Sequence, residues 1–457
     1  MWLGLVLGCA YPAHQRASGW ILVETERIQL RTNIDRRTAE RLAGEMQYMY
    51  DILVSNALPC AAKREPIAVT VLPAHEFAQF NKNDALGFYR SATVTWLNDY
   101  MGQIVLPDNL GAQSKQMFLH EVTHQLSYEC FPRMPSWLSE GLAGFFETML
   151  ISSERVSIGR PPFLITANSR MNRMRSSVLD GQRLWVIPTN ILPSVASIVD
   201  LEGSWRTHDW SETAPRYALA WALVDLLAVG APDLTPRFQA YLGRLRTSLD
   251  DPHAAFKEAF GGVALQDRLN TFLRSEHIPM LYFARPPVLA LDAARKPHVR
   301  DLAEEDAHLH LAWLGAPYRG DTDRERVRRH LAAAKQSPRT RDAAYLVAAM
   351  ALTMQGDLAG AAREVEEGLR GAHDSAPFLE AQLDILLGGK ATLAQLQQVA
   401  DRLRPIATTG GQLCTLAQVA ILMGDRQAAL ELGARAAPLV PRLAHCRPEA
   451  IAQRASQ

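Results

Sequence analysis

The 457-residue chain lacks net charge, because 48 basic residues face 48 acidic ones. That balance gives no reason to expect nucleic acid or an anionic membrane as the main partner. It also lacks any apolar run near the roughly 20 residues that cross a bilayer. Lysine is scarce beside arginine, alanine and leucine, which reads as genome bias and not as function. Cysteine is sparse, with five in all. What is present is ordinary globular composition, 48% apolar and 21% charged. At roughly 150 residues per domain, the length suggests about three structural units.

The N-terminus, MWLGLVLGCA, is apolar and ends in Leu5-Val6-Leu7-Gly8-Cys9. It resembles the lipobox of bacterial lipoproteins, in which a small residue precedes the acylated cysteine. It departs from that pattern in having no basic leader and a very short apolar stretch. Residues 1–19 are therefore expected to be a signal or lipoprotein-like segment with a lipid anchor at Cys9. The chain would then be exported, to a bacterial periplasm or as a membrane-anchored lipoprotein; a buried or frayed N-terminus is the alternative. Of the other cysteines, Cys60 and Cys130 fall in one half and Cys414 and Cys446 in the other. In an exported protein, pairing within each half is natural, and it requires Cα atoms within about 7 Å. Four buried thiols are the other reading.

Strands are predicted at Trp20–Thr32, Ile67–Leu72, Thr93–Leu97 and Gln103–Leu106 from apolar alternation and β-branched content. Asp35 is placed to cap a helix over Arg36–Asn56, with Ala39, Leu42, Met46, Met49 and Leu53 on one stripe. Strands followed by helices suggest an α+β domain. Residues 151–210 have no readable pattern. Pro215 opens a helix through about Val229, and shorter helices follow to about Arg274. Pro286-Pro287 and Pro297 mark a linker. Beyond it, Gly320-Asp321, Gly356-Asp357 and Gly424-Asp425 recur, with Gly389-Lys390 in the gap. The steps approach the 34-residue period of tetratricopeptide repeats, and each pair lies between an apolar helix and an alanine-rich one. The likeness is good for two units, and a generic helical bundle is the alternative. The expected domains are 20–285 and an all-α unit at 298–457.

The densest chemistry lies in FLHEVTHQLSYECFPRMPSWLSEGLAGFFE, Phe118–Glu147. His120 and His124 are four residues apart, so they share a helix face and can hold one Zn2+. Glu121 is turned about 100° from His120 and can take a proton from water. Phe118, Leu119, Val122 and Leu126 make this helix amphipathic, so the histidines do not lie on a purely solvated face. Pro132 and Pro135 break the chain, and a second helix is expected from Ser136, a good N-cap. A short connection makes the two helices antiparallel and returns Glu140 to the histidines, completing a His2Glu site. Glu147, two turns further on the same face, could orient a ligating histidine.

HExxH followed by WLSEG-L-A-x-x-F-E resembles the gluzincin zinc metallopeptidases, the peptidase-MA group. More narrowly it is similar to the bacterial DUF1570-type, peptidase-MA-like proteins, which often carry tetratricopeptide repeats. The likeness covers roughly residues 20–275 and is strong in Phe118–Glu147. It is looser to the M1-type aminopeptidases, whose gap from HExxH to the third ligand is longer. Ala255–Gly261 also resembles this family's late helical segment. The resemblance implies a zincin-like α+β domain followed by all-α repeats. It implies Zn2+ on His120, His124 and Glu140, with Glu121 as the base of peptide hydrolysis. It further implies that Tyr217, in Tyr217-Ala218-Leu219-Ala220-Trp221, donates to the oxyanion, and that Gly102–Pro107 is a substrate-binding edge strand. A helix-face tyrosine and an ordinary core strand are the plainer readings of those two. A peptide or protein substrate, a protein partner for the repeats and no nucleic acid are expected. One rival is a non-catalytic exported scaffold in which the zincin fold is vestigial. Another is a hydrolase of non-peptide amides, which would use the same residues.

Overall fold

The structure is a computed structural model. It describes residues 19–457 apart from 59, 61–65, 81–86, 91–95, 98–101, 109–111, 132, 153, 163, 167–174, 180–181, 201–209, 248–250, 276–277, 285–295, 318–319, 373, 440–449 and 453–457. The fold is mixed α/β with a helix-rich C-terminal region.

The N-terminal part runs β1 (Ile21–Glu24), β2 (Ile28–Thr32), α1 (Arg36–Asn56), β3 (Ile67–Leu72), α2 (Ala74–Phe80), β4 (Phe88–Arg90), β5 (Gln103–Pro107), α3 (Ala112–Cys130) and α4 (Ser136–Glu147). The single strand expected over Trp20–Thr32 is a hairpin. Its turn is held by Thr25 Oγ1, which accepts from Ile28 N at 2.9 Å, and by Gln47 Oε1, which accepts from Arg27 N at 2.8 Å. Asp35 caps α1 as expected, accepting from Thr38 N at 2.9 Å. Pro135, not Ser136, is the cap residue of α4. Of the strand expected at Thr93–Leu97, residues 93–95 lie outside the described residues, and Trp96 and Leu97 are not in a strand.

The middle of the chain, unreadable as sequence, holds β6 (Leu150–Ile151), β7 (Arg155–Ile158), β8 (Leu164–Thr166), β9 (Arg175–Leu179), β10 (Gln182–Pro188) and α5 (Val195–Val199). Of these strands β6 and β8 have only two and three residues, too few to display a periodicity. Next come α6 (Trp210–Asp225), α7 (Thr235–Thr247), α8 (Pro252–Phe260), α9 (Leu265–Leu273) and β11 (Leu281–Ala284). Helix α6 begins before Pro215, which sits in its N-terminal part, and ends in a π-helical turn at Leu226–Gly230. Two small sheets have the orders β11-β7-β6 and β8-β10-β9.

The last part opens with β12 (His298–Asp301). Helices α10 (Glu304–Gly315), α11 (Asp321–Ala334), α12 (Arg341–Met354), α13 (Leu358–Gly371), α14 (Ala376–Gly388), α15 (Leu393–Leu403), α16 (Gly410–Leu422) and α17 (Arg426–Ala436) follow, and successive pairs pack together. Two of the Gly-Asp pairs make the hairpin bends. Gly356 and Gly424 take φ of 82° and 76°, conformations that end a helix and favour glycine. Asp357 and Asp425 then cap the next helix through Gly360 N and Ala428 N.

The main sheet has the order β12-β1-β2-β3-β5-β4. Strand β5 is thus paired on both sides, parallel to β3 and antiparallel to β4. This corrects the expectation that Gly102–Pro107 is an edge; among the described residues the outer strand is β4. Alternation along the strands separates two faces. Ile28, Leu30, Ile67, Val69, Val71, Ile104 and Leu106 face a core shared with α1, α3, α4 and α6. Leu72 and Val105 face the opposite way, with Trp20, Phe77 and Phe80, into a core shared with Ala312 and Trp313 of α10 and Val347 of α12. At the centre of that second interface Thr70 Oγ1 lies 3.0 Å from Gln103 Oε1 and 2.9 Å from His310 Nε2.

The helical region is therefore not joined by a linker alone. The unit expected at 298–457 begins with a strand that pairs with β1, and its first helices cover the back of the sheet. Most of the predicted linker, 285–295, lies outside the described residues.

Candidate metal centre

Helix α3 carries His120 and His124 on one face, and their ring centroids are 4.7 Å apart. Helix α4 packs against α3, which brings Glu140 to the same point. His120 Nε2 and His124 Nε2 are 3.1 Å apart. Glu140 Oε2 is 3.4 Å from the first and 3.3 Å from the second. Four donors arranged tetrahedrally about 2.0–2.1 Å from a metal stand roughly 3.3–3.4 Å from one another. The observed sides, 3.1, 3.3 and 3.4 Å, are close to those dimensions, so the three side chains fit one metal ion. Glu140 Oε2 is buried with no hydrogen bond, a costly arrangement unless a cation faces it. Among the described residues no other trio of His, Cys, Asp or Glu side chains converges in this way.

The atoms of each ligand that face away from the centre are held. His120 Nδ1 gives its proton to Glu147 Oε2 at 2.6 Å, the contact expected of Glu147. His124 Nδ1 meets Ser139 Oγ at 2.8 Å. A ring that gives up its Nδ1 proton in this way leaves the Nε2 lone pair aimed at the metal position. Tyr217 Oη donates to Glu140 Oε1 at 3.1 Å, and the Tyr217 ring lies nearly parallel to that of His120, with centroids 6.4 Å apart.

Electrostatics agree with a site built for positive charge. Burial opposes protonation of His120, but the Glu140 carboxylate 3.4 Å from its Nε2 and the hydrogen bond to Glu147 outweigh that and hold its pKa well above the ordinary histidine value. Burial likewise opposes ionisation of Glu140, and the His124 and His120 rings overcome it and hold the carboxyl far below its usual range. Glu121 is only 4% exposed. Among the described residues its carboxylate makes no hydrogen bond, so it is free to accept one.

Packing explains why a tyrosine 77 residues from Glu140 reaches it. A Cβ on Gly141 would sit 2.6 Å from Ala220 O, and one on Gly144 would sit 3.3 Å from Trp221 Cβ. Glycine at these two positions lets α6 lie directly against α4. The far end of α3 is tied by the Cys60–Cys130 disulfide, with Cα atoms 5.4 Å apart. Cys414 is also disulfide-bonded, while Cys446 and Cys9 lie outside the described residues.

The structure thus brings His120, His124, Glu140, Glu147 and Tyr217 into contact, with Glu121 beside His120 on α3. Tyr217 alone is engaged differently, since its hydroxyl rests on a candidate ligand. Ser139 was missed, because a serine in an apolar helix reads as a packing residue. Residues 114–234 match the family described as "Protein of unknown function (DUF1570)". No curated protein and no solved structure matches the chain. The matched segment contains every side chain of the candidate centre, from His120 through Tyr217.

Proposed function

We propose that the chain is a zinc metallopeptidase of the gluzincin type, with a zincin-like α+β domain and a tetratricopeptide-like helical array. The observation that carries this reading is the triangle of His120 Nε2, His124 Nε2 and Glu140 Oε2, with sides of 3.1–3.4 Å. Its two histidines lie on α3, the helix that also carries Glu121, whose carboxylate makes no hydrogen bond among the described residues. Two imidazoles and one carboxylate are a donor set suited to Zn2+. A bound zinc supplies Lewis acidity and lowers the pKa of water towards about 7.

The chain's own residues do the rest. His120, His124 and Glu140 hold the ion. Glu121 accepts a proton from the attacking water as its oxygen adds to the scissile carbonyl carbon. It then delivers that proton to the amine nitrogen as the C–N bond breaks. One water is consumed, divided between a new carboxyl and a new amino group. The outer edge of β4 offers backbone groups to which an extended peptide substrate can add as a strand.

The helix pairs from α10 onward suit a repeat array whose concave face binds a protein partner. The Cys60–Cys130 bridge and the bonded Cys414 suit export to an oxidising compartment such as the periplasm, with Cys9 as the lipid-anchor candidate. The test is metal analysis coupled to cleavage of a peptide library by wild type and Glu121→Gln. Zinc-dependent cleavage that disappears in Glu121→Gln supports the assignment. Metal without cleavage in the wild type removes the peptidase assignment and leaves a binding role or hydrolysis of a non-peptide amide.

A further inference from the structure

The expected task of Tyr217 was to donate to a developing oxyanion, which requires a hydroxyl proton free to point at substrate. Its position is different. The Oη–H is given to Glu140 Oε1 at 3.1 Å, and the side chain is 8% exposed. A carboxylate is a stronger acceptor than a neutral peptide carbonyl, more so when both partners are buried. The two oxygens of Glu140 are therefore divided. Oε1 takes the phenol, and Oε2, buried and without a hydrogen bond, faces both histidines at 3.3 and 3.4 Å. The same division applies to His120, whose outer nitrogen meets Glu147, and to His124, whose outer nitrogen meets Ser139.

Tyr217 cannot easily leave. Its helix is seated on α4 where Gly141 meets the Ala220 carbonyl, one residue after Glu140. The Tyr217 ring also lies along His120.

We infer that Tyr217 is a positioning residue for Glu140, holding Oε1 so that the carboxylate meets the metal through Oε2 alone. This rests on the metal-site reading above. Loss of the phenol leaves both oxygens able to turn inward, so the ligand loses its fixed orientation and the site its selectivity for one-oxygen coordination. Partners of this kind typically contribute 10–100-fold in metal affinity.

The experiment uses the full chain. Zn2+ dissociation constants are measured for wild type and Tyr217→Phe by competition with a chromophoric chelator, and the visible absorption of the Co2+-loaded proteins is compared. Circular dichroism establishes that the variant is folded. The expected result is a dissociation constant about 10–100-fold weaker in Tyr217→Phe, with a weaker cobalt band as the carboxylate becomes two-oxygen coordinated and the coordination number rises. Unchanged affinity and spectrum, with a lowered kcat, would overturn the inference and return Tyr217 to an oxyanion role while leaving the metal site intact. Wild type that takes up no metal overturns both the inference and the reading beneath it.

Discussion

Asp225 is a buried carboxyl that the proposed chemistry does not use. It is 0% exposed, and neither of its oxygens has a hydrogen bond. It ends α6 at the π-helical turn, with Oδ1 so near Gly159 that a Cβ there would lie 3.1 Å away. Burial alone pushes its pKa from 3.8 up to about 8, so at neutral pH it is held as the neutral acid. The sign of the linkage follows. Between pH 4 and 8 the unfolded chain releases this proton while the folded chain keeps it. Its contribution to stability is therefore present in acid and lost as pH rises through that window. Each pH unit within it costs about 1.4 kcal/mol. Asp225→Asn keeps the shape and removes the titration. Urea unfolding of both proteins at pH 5 and pH 7 should find the variant's stability relative to wild type improved by about 3 kcal/mol at the higher pH. Parallel pH dependence in the two proteins would refute the argument, because it would mean that Asp225 ionises without penalty in the fold.

Other perturbations follow from the same geometry. Gly141→Ala puts a methyl group 2.6 Å from the Ala220 carbonyl, which must push α6 off α4; stability should fall by about 1–3 kcal/mol, and zinc affinity measured by chelator competition should fall with it. Ser139→Ala removes the partner of His124 Nδ1 and should weaken zinc about 10-fold or more in the same assay, with little change in melting temperature. Removing residues 298–457 strips β12 from the sheet and uncovers Trp20, Phe77, Phe80 and Val105. The shortened chain should be insoluble or bind a hydrophobic dye, and a monomeric, cooperatively folding fragment would contradict the shared core.

The sequence was most informative where the determining pattern is local. His120 and His124 lie one turn apart on one helix, and Glu140 needs only a short bend to meet them. Gly356-Asp357 and Gly424-Asp425 are legible for the same reason: a helix end and the next helix cap are adjacent residues. Tyr217 could be placed only by family likeness, because its contact with Glu140 depends on how closely two helices approach at Gly141. Strand β12 was hidden because His298-Val299-Arg300-Asp301 lies at a sheet edge and is mostly exposed, which leaves no buried alternation to see. The outer position of β4 was hidden because pairing order is a long-range property. Val105 and Ile104 alternate between two cores, so β5 looks the same in sequence whether it is an edge or an interior strand.

The central claim is that Glu140 holds the metal and Glu121 moves the proton. It is tested most directly by measuring bound zinc and peptide turnover side by side in wild type, Glu140→Ala and Glu121→Gln. Glu140→Ala removes one of three protein ligands, so metal and activity should be lost together. Glu121→Gln keeps the size but cannot take a proton, so it should retain stoichiometric zinc while turnover falls about 100-fold or more. Full hydrolysis by Glu121→Gln, or undiminished zinc in Glu140→Ala, would contradict the account.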